Sequence, residues 1–451
     1  MNFSQRLNSV IPGGAHTYSR GDDQFPSNAP QILEKGLGCY VWDPYGNKYL
    51  DYGMALRAVT VGYANERINN SAIEQIKNGV NLTRPSLIEL EAAELMVDLI
   101  PSAEMIKFAK NGSNVTTAAV KIARAYTGKN YVCFPRQHPF FSFDDWFIGS
   151  TQITRGIPEA FRKYSLLFDY NDINSLEKLF DEYINDIACV IMEPATTINP
   201  CDKNCDRTKS LEIKCADCPN NKDNFLFKVK ELCHKNNSLF ILDEMITGFR
   251  WHLQGAQTWF GIEPDLSTFG KGMANGFSLA ALTGKKEFMK LGGIKDLGME
   301  RTFLVSTTHG AEMPALGAFV ETVKLYKEYD IVRHIWEYGS KLFEGINEIS
   351  RKLGLIDYFY IDGGYAIMNF VTKDKEKRVS FPFRTLFIQE MIKNGILMPW
   401  IAVSYSHKEA ELTFTFEAVR KALEIYRKAL DEGIEQYLEG EAIKPVFRKY
   451  N

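Results

Sequence analysis

Lys271 stands between two glycines in STFGKGMANG (267–276). A lysine so placed is either a solvated loop charge or an amine kept for covalent chemistry, and its companions decide which. Asp243 closes the apolar run SLFILD, and Glu193 closes ACVIME. A carboxylate fixed at the end of a buried strand suits a buried cation, and it equally suits the N-cap of a following helix. Gly112 and Ser113 open the helical stretch of KNGSNVTTAAVKIARAYTG. Free backbone N–H groups and the helix dipole favour an anion there. The segment has neither the lysine pattern of a P-loop nor the spacing of a dinucleotide fingerprint. A phosphate on a smaller cofactor therefore fits better than ATP or NAD, with an ordinary capped helix as the alternative. Four cysteines, Cys201, Cys205, Cys215 and Cys218, crowd into CDKNC and CADC with C-x3-C-x9-C-x2-C spacing.

The elements that must position these groups read as an alternation of strands and helices. ACVIME (188–193) and SLFILD (238–243) are short apolar runs of the kind buried on both faces of a parallel sheet. VTTAAVKIARAY (115–126) and NFLFKVKELCHKN (224–236) carry helical periodicity between and around them. The order predicts a right-handed parallel α/β layer, and open sheets of that kind place ligands at the carboxyl ends of their strands. From residue 312 the pattern changes to a long helix (MPALGAFVETVKLYKEY), short strands around YAIMNFV, and the helices RTLFIQEMIKN and ELTFTFEAVRKALEIYRKALDEG. That tail reads as a smaller α+β domain. The expected division is 1–65, contributing to the small domain and the site; 66–311, the large domain with a cysteine-rich insertion at 200–220; and 312–451, the C-terminal small domain.

With 451 residues, 45% of them in the AVILMFWYC set, the chain can bury a large core. Its 53 basic and 56 acidic residues are spread without a long run of one sign, which argues against a nucleic-acid partner. No window approaches eighteen uninterrupted apolar residues, and MNFSQRLNSVIPGG lacks the basic and apolar regions of a secretory leader. A cytoplasmic protein with no membrane partner is expected.

Taken together, an anion-binding helix start, a strand-end Asp and a glycine-flanked lysine 28 residues later are specific. The sequence resembles the class III, fold-type I pyridoxal-phosphate (PLP) aminotransferases, most closely the glutamate-1-semialdehyde aminomutase group. The likeness runs through IPGGAHTYSR (11–20), YVWDPYGNKYLDY (40–52), NGSNVTTAAVKIARAYTG (111–128), LDEMITGFR (242–250), the Lys271 loop and STTHGAE (306–312). It implies that Lys271 forms an aldimine with PLP and then serves as general acid and base. Asp243 is implied to hold the pyridine nitrogen protonated, and Gly112 and Ser113 to bind the phosphate. Thr308 matches a threonine that reaches the phosphate of the neighbouring subunit, so a homodimer with shared active sites is expected. Glu193 is placed at the cofactor, and Arg20 matches an arginine near the substrate carboxylate.

The sequence also departs from that family. Where relatives have Tyr-His-Gly, this chain reads HPFFSFDDW, which makes Phe140 the candidate to stack on the cofactor ring, with His138 as the alternative. The Thr-Glu after the phosphate-loop glycine is Ser113-Asn114. The stretch GILMPWIAVSYSH (395–407) lacks the acid that the aminomutase carries near its C-terminus. The family's Ser-Trp-Gly beside the substrate reads Ala55-Leu56-Arg57, and the added arginine implies a second anionic group on the substrate. Either arginine can instead pair with a surface acid.

The cysteine array fits tetrahedral zinc in a reducing compartment, with free thiols and an iron–sulfur cluster as the alternatives. Cys39, Cys133, Cys189 and Cys233 lie in apolar segments and read as core. The expected function is a PLP-dependent aminotransferase moving an amino group from an amino-acid donor to a small carbonyl acceptor by a ping-pong route. The alternatives are an aminomutase and a catalytically silent scaffold.

Overall fold

Runs such as IACVIM and LFILD offer no polar side to water, and the fold buries every residue of both. The computed structural model describes residues 1–201 and 205–451. The chain divides into two compact units, Glu66–Arg333 and the pair of segments Met1–Asn65 with His334–Asn451.

The larger unit is built on seven strands: β1 (Met105–Ala109), β2 (Tyr131–Pro135), β3 (Ser165–Phe168), β4 (Ile187–Met192), β5 (Leu239–Asp243), β6 (Leu266–Phe269) and β7 (Ala280–Gly284). Their order across the sheet is β1-β7-β6-β5-β4-β2-β3. All neighbours are parallel except those of β7, which runs antiparallel to both β1 and β6. The reversal has a simple cause. Only residues 270–279 join β6 to β7. A parallel return needs a crossover of about a dozen residues or more. The lysine loop is thus a turn at the end of the sheet, with strand on either side.

Helices of this unit include α1 (Glu66–Lys77), α2 (Gly112–Thr127), α3 (Ile173–Glu182), α4 (Phe225–Lys235) and α5 (Met313–Tyr329). The expected domain boundary at 312 is displaced, because α5 belongs to the large unit. It packs on α1. A Cβ at Gly317 would lie 3.0 Å from Ser71 O, and Ser71 Oγ donates to Gly317 O at 2.8 Å. Arg67 bridges Glu321 at 2.8 Å and Glu328 at 2.6 Å. Amphipathic periodicity reports that α5 must bury a face but not which partner covers it.

The smaller unit holds a four-stranded sheet of Lys35–Leu37, Tyr40–Trp42, Lys48–Asp51 and Ile396–Leu397, a hairpin of Phe359–Gly364 with Ile367–Thr372, and the packed helices Phe381–Lys393 and Glu409–Glu432. Among the described residues no helix is long and apolar enough to cross a membrane.

Candidate active site

Asp243 is the last residue of β5, opposite Thr268 of β6. Its Oδ1 accepts from Met245 N at 2.9 Å and Thr268 Oγ1 at 3.0 Å. Burial lifts the carboxyl to about 6, against the opposing pull of the Met245 N–H, the charge of Lys271 and Thr268. The site therefore holds a buried acid, oriented by Met245 N and Thr268, with the lysine charge acting on it.

Lys271 follows β6 by two residues and opens a single 3₁₀ turn, Lys271–Ala274. Its φ of 44° lies in the left-handed region, which a non-glycine residue occupies at a cost of about 1–2 kcal/mol. Met245 explains why glycine precedes it. A Cβ on Gly270 would lie 2.4 Å from Met245 Sδ, and one on Gly112 would lie 3.0 Å from the same sulfur. The end of β5, the lysine loop and the start of α2 thus converge on one methionine. Ser278 Oγ, in the lysine loop, donates to Lys110 O at 2.6 Å and ties that loop to the residue before the α2 cap.

At the start of α2, Asn111 Oδ1 accepts from Asn114 N at 3.1 Å, as an N-cap does. The aromatic segment is fastened to the same helix end: Phe143 N donates to Ser113 Oγ at 3.0 Å, Thr116 Oγ1 to Phe141 O at 2.8 Å, and Trp146 Nε1 to Thr117 Oγ1 at 2.8 Å. Phe140 is 46% exposed and can present a ring face, whereas His138 is 4% exposed. His138 Nδ1 accepts from Glu193 N at 3.1 Å, and burial pulls the imidazole down to about 3, so it is neutral. Glu193 is buried just past β4, the strand beside β5. Thr308 is exposed, and its carbonyl accepts from Asn81 Nδ2 at 2.8 Å.

In the smaller unit, Met54–Arg57 form a left-handed turn with φ of 40°, 49°, 62° and 67°. Four such residues in a row cost several kcal/mol, and strain of this kind collects where function needs it. Asp51 holds the turn open. Its carboxylate accepts from Gly53 N at 2.7 Å, Met54 N at 3.0 Å and Tyr63 OH at 2.6 Å, while Trp400 Nε1 donates to Gly53 O at 3.0 Å. Arg20 is exposed, and its charge reaches Tyr63. Arg384, which the sequence did not single out, lies close enough for the charge of Arg57 to act on it. Its guanidinium donates to Phe370 O at 3.2 Å and Pro399 O at 2.7 Å and lies 4.1 Å from the centre of the Phe370 ring. Burial, then the charge of Arg57, pulls it down to about 10. The one sequence signal was a cation leading an otherwise apolar helix face in FRTLFI.

The cysteine array is only partly gathered. Cys201 Sγ lies 3.5 Å from Cys215 Sγ, and Cys205 also bears on the Cys201 thiol. Among the described residues no group of three or more His, Cys, Asp or Glu side chains is arranged to hold a metal ion. The structure thus sets Cys215 and Cys205 against Cys201, where the spacing predicts a four-sulfur cage.

The large-unit residues suit PLP: a buried acid under the charge of Lys271, the N-terminus of α2, and two glycines that let the three segments close on Met245. Residues 24–197 and 218–430 match the family model described as aminotransferase class-III. The glutamate-1-semialdehyde 2,1-aminomutase of Wigglesworthia glossinidia brevipalpis is 36% identical over 93% of this chain and 96% of its own. The 3-aminobutyryl-CoA aminotransferase of Cloacimonas acidaminovorans (strain Evry) is 29% identical over 95% and 98%. Among solved structures, the PLP internal aldimine form of the FumI protein of Sphingopyxis sp. MTA144 superposes with a TM-score of 0.81 at 25% identity, covering 95% of this chain and 97% of that one. A glutamate-1-semialdehyde aminomutase from Pseudomonas aeruginosa PAO1, with a TM-score of 0.77 at 15% identity over 94% and 93%, shares the fold. The chain belongs to the class-III aminotransferases, enzymes of the PLP-dependent fold.

Proposed function

We propose that this enzyme passes an amino group from an amino-acid donor such as glutamate to a small carbonyl acceptor, in two half-reactions that both use Lys271. The observation that carries the reading is the convergence of Asp243, the Lys271 loop and the α2 N-terminus on Met245. Bound PLP supplies an electrophilic carbonyl and a ring that withdraws electrons from the reacting carbon. Gly112 and Ser113 offer N–H groups to its phosphate. Asp243 would hold the ring nitrogen protonated, an ion pair worth about 4 kcal/mol at ~4 Å and an effective dielectric of ~20, before desolvation. Phe140 would cover a ring face, and Glu193 would border the ring from the neighbouring strand. Lys271 Nζ would hold the cofactor covalently and would serve as the base and acid that moves the proton.

Thr308 is assigned to the phosphate of a second copy, which makes the unit of function a homodimer. Its exposure supports this, as do the exposed apolar side chains of Leu82, Leu87, Leu90 and Phe303, which a second copy would cover. The compartment is taken as cytoplasmic.

A second reading, an aminomutase, is favoured by the 36% identical relative. The stretch 395–407 without an acid speaks against it. Isotope tracing separates the two. Nitrogen-15 supplied on the donor is expected on the acceptor's skeleton, and label retained on its own skeleton would establish the mutase.

Arg20 and Arg57 are assigned to substrate acid groups, Arg57 to one on the acceptor. Arg57→Ala is expected to slow the acceptor half-reaction about 10–100-fold, the value of a charge-assisted hydrogen bond of ~1.5–3 kcal/mol, and to spare the donor half. Single-turnover kinetics of each half measure this, and equal losses would refute the division.

The proposal includes a structural zinc on Cys201, Cys205, Cys215 and Cys218. It is supported by the ligand spacing, by the Cys201–Cys215 contact, and by Asn224 Nδ2 at 3.9 Å from Cys215 Sγ. Elemental analysis of protein purified without chelator should find about one zinc per chain. A metal-free result would leave the array as thiols.

A further inference from the structure

Residues 198–217 fall between the two stretches that the family model matches, and the chain places two thiols in contact at the ends of this segment. Both are free cysteines. Their sulfurs are 3.5 Å apart, so a disulfide bond of about 2.05 Å needs a closure of only ~1.5 Å. The approach is built into anchored backbone. Beside Cys201, Phe225 N donates to Pro200 O at 2.8 Å and fixes the segment to the first residue of α4. Beside Cys215, Arg207 donates to Lys214 O at 2.9 Å, and Cys218 N closes the turn onto Cys215 O at 3.0 Å. Ala216 packs on Gly261, where a Cβ would lie 2.9 Å from Ala216 Cβ. Cys201 is half-buried and Cys215 is 1% exposed, so an oxidant meets Cys201 first and Cys215 stands directly behind it.

We propose that Cys201 and Cys215 are a reversible oxidation site that closes to an intramolecular disulfide on exchange with small-molecule disulfides. In the first step the Cys201 thiolate attacks one sulfur of the oxidant RSSR, forming a mixed disulfide and expelling RS⁻. In the second, the Cys215 thiolate attacks Cys201 Sγ and expels the other RS⁻. The two thiol protons end on two RSH, and the two electrons lost by the protein reduce RSSR. The inference rests on the contact of Cys201 with Cys215 alone and stands apart from both the aminotransferase and the zinc readings. Zinc, where bound, would engage the same sulfurs and shield them.

The test uses cofactor-loaded enzyme, with and without prior chelator treatment. Each sample is incubated with glutathione disulfide, blocked with an alkylating agent and mapped by mass spectrometry without reduction. The expected product in the chelator-treated arm is a Cys201–Cys215 linked peptide, reversed by dithiothreitol, with Cys39, Cys133, Cys189 and Cys233 still reduced. Cys215→Ser should stop at a glutathione adduct on Cys201, whereas Cys205→Ser and Cys218→Ser should retain the link. Thiols left unreacted in both arms, a parent enzyme that stops at the mixed disulfide, or a dominant link that includes Cys205 or Cys218 would each overturn the proposal. Zinc released by the chelator is quantified on the same sample, and PLP absorbance is read in parallel, so failure of either other reading is seen separately.

Discussion

Lys271→Ala is expected to fold as the parent does, to bind PLP without a covalent bond, and to lose about 10⁴-fold or more in turnover. Covalent attachment and proton transfer rest on one amine, and alanine supplies neither. The fold should survive because contacts other than this side chain hold the backbone of the loop. The loop is set by Gly270 against Met245 and by the Ser278 bond to Lys110. Alanine also keeps a Cβ at the left-handed φ of 44°, so the local strain is unchanged. Borohydride treatment followed by mass analysis should attach the cofactor to the parent at Lys271 and leave the variant unmodified. An active variant, or a cofactor fixed at another lysine, would remove Lys271 from the chemistry.

Asp243→Asn should be nearly as severe, on the order of 10³-fold, the kinetic equivalent of losing an interaction of about 4 kcal/mol with the protonated ring nitrogen. Two further readouts separate this from damage to the fold. The carboxyl titrates near 6 in the folded chain, raised by burial above its ordinary 3.8. Below that pH it is protonated and cannot accept the ring proton, so PLP affinity of the parent should fall as pH drops through about 6. The Asn variant should lose that dependence. Because the raised value means that ionised Asp243 costs folding energy at neutral pH, the cofactor-free Asn variant should be no less stable than the cofactor-free parent. A variant with unchanged rates and the same pH profile would place the ring elsewhere.

How far the sequence foretold this arrangement varies with the reach of the interactions involved. β4 and β5 were legible because their runs are apolar throughout, and Asp243 and Lys271 because a strand-end acid and a glycine-bounded lysine are local patterns. The reversal at β7 was not, because it follows from the length of the lysine loop and only strand pairing reveals it. Met245 reads as one more apolar residue in LDEMITGFR, and its part in gathering three segments depends on glycines far along the chain, Gly112 and Gly270. MALR at 54–57 is made of good helix formers, yet the turn is left-handed. Asp51, Tyr63 and Trp400 impose that hand, and tertiary contacts of this sort override propensity. The cysteine spacing singles out a segment, but spacing alone does not say which sulfurs meet, and the contact of Cys201 with Cys215 depends on the folding of the intervening chain.

The central claim is that one lysine-linked cofactor shuttles an amino group between two molecules, and a two-step absorbance titration tests it most directly. Purified enzyme loaded with PLP is given amino-acid donors one at a time until the visible band of the lysine-linked cofactor is lost, and then carbonyl acceptors until it returns. The account predicts complete loss with at least one donor in the absence of acceptor, full recovery with an acceptor, and release of the donor's oxo acid and the acceptor's amine in amounts equal to the cofactor. A cofactor band that no amino acid alters, on protein shown by borohydride to carry PLP at Lys271, would contradict it.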